Sequence, residues 1–223
     1  NLPGVPYKRN LPAAGLLSLD PSLVVAADDA EPVVVIEQLR EAGVDVVLVE
    51  DGLDLETVSK KLAFIGKVLG RETEAEELIE ENRVRIELAQ QNLEGLRGRP
   101  KVMFVLSQQG PSSFMIAGMN TEAEAIIRHA GGVNAFQDFK GYKPVTTEAL
   151  AVANPDVILF MDSRREALPD DLSQVNGLNL TNAVRNNRIV SMDGNLLLGF
   201  GPRFGEAVQE LMKHLHPNLN IDN

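Results

Sequence analysis

The chain contains no cysteine. That absence removes disulfides, zinc–thiolate sites, iron–sulfur clusters and thiol nucleophiles together, and it suits an oxidising compartment. Tryptophan is also absent, and only two tyrosines occur among 223 residues. Histidine appears three times, at His129, His214 and His216. Histidines this scattered cannot supply the convergent ligands of a zinc or manganese site. No apolar run approaches the roughly 18 residues of a membrane-spanning helix. Basic residues are outnumbered by acidic ones, 21 to 32, for a net charge of −11 and a pI near 4.8. That balance argues against a nucleic-acid partner, which calls for a basic surface, but it leaves room for a local basic cluster serving a small anion. No serine sits in a nucleophile-elbow signature and no carboxylate pair has a diagnostic spacing. Nothing in the chain specifies an enzyme. Asn1 is followed by no basic segment and apolar core of a signal peptide, so the expectation is a mature or trimmed chain.

What is present begins with a repeat. Leu16 to Asp29 reads LLSLDPSLVVAADD and Leu150 to Ser163 reads LAVANPDVILFMDS. Aligned without a gap, Leu16 meets Leu150, Pro21 meets Pro155 and Asp28 meets Asp162. Each copy passes from an apolar helix-like segment through a proline turn into a buried strand. Each also leads towards a second strand, Val44–Val49 in one case and Arg188–Met192 in the other. A repeat so widely spaced is no solenoid, whose period is about 20–50 residues. It predicts two α/β lobes with a ligand cleft between them.

The predicted fold class is therefore α/β, two Rossmann-like lobes joined by a long spine helix, with the first lobe incomplete. The first lobe takes residues 1–70, the spine 71–99 and the second lobe 100–223. In the first lobe, strands Leu23–Ala26 and Val44–Val49 flank a helix over Pro32–Ala42 that ends at Gly43, a β–α–β spacing that calls for a parallel pair. A helix over Leu55–Leu69 closes on Gly70. The spine runs from Thr73 to Leu96, with Thr73 and Glu76 at a capping-box spacing and Leu78, Ile79, Ile86, Leu93 and Leu96 as one buried stripe. The second lobe is expected as a three-strand unit. It comprises strand Val102–Leu106, helices Glu122–Ala130 and Thr147–Ala153, strand Val157–Phe160, helix Leu180–Arg185, strand Ile189–Met192 and a last helix Arg203–Leu215.

Three places carry candidate chemistry. Tyr7 sits in Val5-Pro6-Tyr7-Lys8-Arg9, stiffened by prolines at 3, 6 and 12. A tyrosine beside two cations is a candidate metal-directed phenolate; free tyrosine has a pKa of about 10, so it ligates only where positive charge favours the ionised form. Tyrosine is an axial ligand of haem iron in some proteins. The alternative is a loop tyrosine half-buried for packing. The segment Gly199-Phe200-Gly201-Pro202-Arg203-Phe204-Gly205 imitates a dinucleotide loop, but its spacing is wrong and Pro202 removes a donor where a phosphate would sit. Arg203 in the first turn of the last helix faces the positive end of the macrodipole, which points to an anion in the cleft. Its alternative is a surface arginine paired with Glu206 or Asp193. Lys140, Gly141, Tyr142 and Lys143 form a second aromatic and cationic loop, or simply a solvated turn.

With lobes, spine and loops placed, the chain resembles periplasmic substrate-binding proteins of the class joined by one long helix. More narrowly it resembles the haem-binding members that serve bacterial ABC importers. The markers run along essentially the whole chain: GVPYKRNLPAAGLLSLDPSLVVA, EQLREAGV, the long helix before RPKVMFVLS, AGGVNAF and NLLLGFGPR. The resemblance implies haem as the transported ligand and Tyr7 as the axial ligand of ferric haem iron. It implies Arg203 as the hydrogen-bond donor to the phenolate, a role suited to a guanidinium that does not deprotonate. Lys8, Arg9, Lys140 and Lys143 are expected to meet the two haem propionates. No histidine matches the second-lobe haem residue of some relatives, since the corresponding stretch reads FQDFKGYK. The resemblance further implies docking on a membrane permease through an acidic residue on each lobe, Glu31 on the first and Glu166, Asp170 or Asp171 on the second, with Glu166 taken forward. The expected location is the periplasm and the expected role is transport without catalysis.

Rivals are defined by chemistry. The same fold with a ferric siderophore or corrinoid is the nearest, opposed by the lack of tryptophan, since bulky aromatic linings are common in such pockets. An α/β enzyme acting on a small anionic substrate in the inter-lobe cleft is another. A truncated relative that only contacts other proteins is the third.

Overall fold

A computed structural model describes residues 13–28, 30, 32–96, 98–108, 113–165 and 171–219. In the first lobe, α1 (Ala13–Leu17) leads to β1 (Leu23–Ala27), α2 (Val33–Glu41), β2 (Asp45–Val49) and α3 (Leu55–Leu69). β1 and β2 pair in parallel, from Leu23 opposite Asp45 to Ala27 opposite Val49, and α2 makes the crossover that a parallel pair requires. Asp54 starts α3 by accepting the Thr57 amide at 2.8 Å. Gly70, in the left-handed region at φ 63°, ends it.

The spine helix α4 spans Glu72–Leu93, 22 residues, or roughly 33 Å at 1.5 Å per residue. The predicted Thr73 capping box does not start it. Arg71 occupies the N-cap with no side-chain bond, because the chain enters α4 directly from the Gly70 turn, where the Arg71 amide donates to the Gly66 carbonyl at 2.7 Å. Its buried stripe is Ala75, Asn82, Ile86 and Ala89, with Leu78, Ile79 and Leu93 partly buried beside it. Two of these four are alanines, so α3 packs closely along the spine.

The second lobe departs most from the three-strand expectation. Its elements are β3 (Lys101–Gln108), β4 (Ser113–Ala117), α5 (Glu122–His129), β5 (Val133–Asn134), β6 (Tyr142–Thr146), α6 (Thr147–Ala153), β7 (Val157–Met161), α7 (Asp162–Arg165), α8 (Asn182–Arg185), β8 (Ile189–Met192), α9 (Gly194–Leu198) and α10 (Phe204–Leu215). The sheet order is β6-β4-β3-β7-β8, with β5 also on β3. β3, β7 and β8 are parallel, whereas β4 and β6 are antiparallel additions. The supposed loop around Tyr142 is thus the start of an edge strand. Pro144 hid it, and an edge is where a strand tolerates proline. The helix expected over Leu180–Arg185 shrinks to Asn182–Arg185 after a short 3₁₀ turn.

The repeat is real in three dimensions. At the same alignment Leu23 of β1 meets Val157 of β7 and Ala27 meets Met161, and each strand pairs in parallel with the last strand of its sheet. Burial differs: β7 is nearly all buried, while Val25 and Leu48 in the first sheet stay about two-fifths exposed. In β3 and β7 alternate residues feed two cores. Val102, Phe104, Val157 and Leu159 face a core shared with Val58 and Leu62 of α3 and Ile86 of α4. Met103, Val105, Ile158 and Phe160 face the other. The first of these cores fastens α3 and the spine to the second lobe.

Candidate functional site

The loop between α9 and α10 carries Arg203, and its flanking rings decide how the arginine is shown. Phe200 and Phe204 are buried and stack at 4.9 Å with planes 31° apart. Phe200 adopts φ 39°, a left-handed conformation costly for a bulky residue, and the buried stack holds it there. Gly199 is required, because a Cβ at that position would collide with the Asn195 carbonyl. Between the rings, Arg203 turns outward with 57% of its side chain exposed, 4.0 Å from the Glu206 carboxylate. It sits at the N-cap of α10, one position before the first turn. Of its two expected partners Glu206 is the one in reach; Asp193 instead caps α9 by accepting the Leu196 amide at 2.8 Å. A pair this long and exposed contributes little, and the guanidinium remains available to an incoming anion.

Two contacts fix this loop to the rest of the protein. Asn82 of the spine donates to the Pro202 carbonyl at 2.8 Å and accepts the Gly205 amide at 2.6 Å. His129, at the end of α5, meets the Phe204 ring edge-on at 5.2 Å. Its Nε2 lies 3.2 Å from the Leu53 carbonyl, just before α3. In the neutral ring that nitrogen donates, so one imidazole ties the segment before α3 to the arginine loop. Burial pushes the His129 pKa below the ordinary histidine value, and neighbouring Arg128 adds to the effect.

The second predicted cluster lies at the other end of α5. Lys140 is exposed and pairs through its backbone with Met119. Lys143, also exposed, places Nζ 5.3 Å from the centre of the Phe139 ring. Tyr142 is half-buried and its hydroxyl donates to the Glu122 carboxylate at 3.2 Å, so this tyrosine is already committed. The structure therefore places Lys140 just before β6 and Lys143 within it, whereas Arg203 follows α9 at the start of α10. Tyr7, Lys8, Arg9, Glu31, Glu166 and Asp170 lie outside the described residues. Asp171 instead caps a 3₁₀ turn through the Ser173 amide. A concavity lined by Arg165, Ser173, Asn187 and Ser191 holds none of the residues expected to bind ligand. Among the described residues no group of three or more His, Asp or Glu side chains is placed to hold a metal ion.

Asn82 and His129 were not legible as site residues. Asn82 stood inside a charged helix, and His129 stood as a helix-end histidine; their roles depend on contacts 120 and 76 residues away. The Phe200 and Phe204 pair was visible, but only as part of a false dinucleotide loop.

The α/β architecture with its long helix has counterparts among known proteins. Residues 1–196 match the periplasmic binding protein family. The chain belongs to that family. Among solved structures it is similar to the periplasmic heme-binding protein BhuT in complex with two hemes, at 39% identity and a TM-score of 0.89, over 97% of this chain and 82% of that one. Among curated proteins it is 26% identical to the uncharacterized ABC transporter substrate-binding lipoprotein YvrC of Bacillus subtilis, over 94% of this chain and 66% of that protein. It is 27% identical to a cobalamin-binding protein of Halobacterium salinarum, over 96% of this chain and 58% of that protein. The chain thus spans about two thirds or less of these curated relatives. No described helix is long and apolar enough to cross a membrane.

Proposed function

We propose that this periplasmic binding protein captures haem in the periplasm and hands it to the permease of an ABC importer, without catalysing a reaction. The observation that carries the reading is the setting of Arg203, a permanent cation held exposed on a loop whose neighbours are buried. The likeness at 39% identity to a heme-binding protein supports it. In this reading residues 1–70 form the first lobe, 71–99 the spine and 100–223 the second lobe. Tyr7 of the first lobe binds ferric haem iron as phenolate, and Arg203 of the second stabilises that charge, since an opposite charge nearby favours the ionised form. Lys140 and Lys143, with Lys8 and Arg9, meet the haem propionates. Glu31 and Glu166 contact the permease. The test is the visible spectrum of the hemin-loaded chain. Tyrosinate-to-iron charge-transfer bands are expected in the wild type and absent in Tyr7→Ala; retention of the bands in that variant sinks the assignment.

A corrinoid is the second reading, favoured by the curated relative described as cobalamin-binding. It keeps the fold and the importer role and changes the cargo. Saturable binding of cyanocobalamin in place of hemin distinguishes it.

A further inference from the structure

Asn82 is 2% exposed in the middle of the spine helix. Asparagine is a poor helix-interior residue because its amide competes for backbone groups, and a buried amide demands partners. Its partners bracket Arg203. Nδ2 donates to the carbonyls of Leu78 at 2.7 Å and Pro202 at 2.8 Å, while Oδ1 accepts the Gly205 amide at 2.6 Å. One oxygen facing a donor and one nitrogen facing two carbonyls leaves a single orientation of the amide.

Gly205 is the second residue of α10, so its N–H is one of the unpaired donors of a helix start. Arg203 at the N-cap offers no side-chain acceptor. Asn82 therefore caps α10 from a different helix, while its nitrogen holds the carbonyl just before Arg203. Glycine at 205 permits the approach: a Cβ there would lie 2.7 Å from the Arg85 Cβ. The amide donates to one flank and accepts from the other, whereas alanine does neither and an ionised carboxylate cannot donate.

We infer that Asn82 is a positioning residue for the ligand, fixing Arg203 to the spine helix by clamping the backbone on both sides of it. The inference rests on the haem reading above. Arg203 then keeps its orientation relative to the helix that joins the lobes as well as to its own lobe.

The test compares wild type, Asn82→Ala, Arg203→Ala, the double variant and Ile86→Ala in the full chain. Ile86→Ala thins the core one turn along the same helix and leaves the clamp bonds in place. Asn82→Ala is expected to weaken hemin binding about tenfold, the usual scale for a residue supporting a ligand group. It should also raise the pH at which the tyrosinate band is lost. The double variant should match Arg203→Ala within about twofold, the sign of one shared pathway. Ile86→Ala should lower stability and leave the band midpoint unmoved. Wild-type behaviour of Asn82→Ala, losses that multiply in the double variant, or an equal band shift in Ile86→Ala each overturn the inference. If alanine unfolds the chain, Asn82→Ser retains a hydroxyl too short to reach both flanks and takes its place. Amide exchange at Gly205 without ligand separates the clamp from the cargo. Protection in the wild type and its loss in the variant support the clamp, and equal exchange overturns it. A wild type that takes up no hemin defeats the haem reading, and the clamp is then decided by exchange alone.

Discussion

Adjacent residues in the arginine loop should respond in opposite ways to the same truncation. Phe204 is 2% exposed and touches two rings, Phe200 at 4.9 Å and His129 at 5.2 Å. Phenylalanine-to-alanine changes in a core cost about 3–5 kcal/mol. The two ring contacts, each worth about 0.5–1.5 kcal/mol beyond area, place Phe204→Ala at about 4–5 kcal/mol. That is a large part of the roughly 5–15 kcal/mol holding a typical domain. Arg203→Ala removes an exposed side chain whose ion pair with Glu206 is 4.0 Å long. It should leave stability within about 0.5 kcal/mol of wild type while weakening ligand binding. Urea unfolding followed by far-UV circular dichroism measures both, since the chain has no tryptophan to report by fluorescence. A loss below about 1 kcal/mol for Phe204→Ala, well under the core range, would refute the anchoring argument. So would a loss for Arg203→Ala as large as that for Phe204→Ala.

Two further outcomes follow from caps and burial. Asp54→Ala removes the acceptor for the Thr57 amide and hydroxyl at the start of α3, and should cost about 1 kcal/mol, read as a lower urea midpoint. His129 and His216 both have folded pKa values lowered, burial being the first cause in each. An unfolded histidine titrates near 6.5, so below that pH the unfolded chain binds more protons and stability falls. The loss continues until pH drops past the depressed folded values, then levels. His129→Gln should flatten this slope between about pH 6.5 and the folded value; greater wild-type stability on acidification from neutrality would contradict the sign.

The sequence made the parallel units legible because their strands are apolar runs bounded by Pro21, Gly43 and Pro155, and the repeat matched β1 to β7 residue for residue. β4 and β6 were not predicted: β4 is a short apolar run, Phe114–Ala117, that was passed over, and β6 pairs with β4 only across the intervening α5, while Lys140 to Lys143 read as a solvated turn. The Thr73 capping box failed since local spacing cannot show that a Schellman-like turn at Gly70 already delivers the chain into α4. Arg203 was singled out as a candidate from an expected place in the first turn of the last helix, and it sits one position earlier, at the N-cap. What holds it was not found, because Asn82 acts across 120 residues of sequence and has no local pattern to betray it.

Parallel titrations of the chain with hemin and with cyanocobalamin decide between haem and a corrinoid as the cargo. Hemin should give a saturating change that carries tyrosinate charge-transfer bands, and cyanocobalamin none. Saturation by cyanocobalamin with no saturable hemin binding would contradict the haem reading.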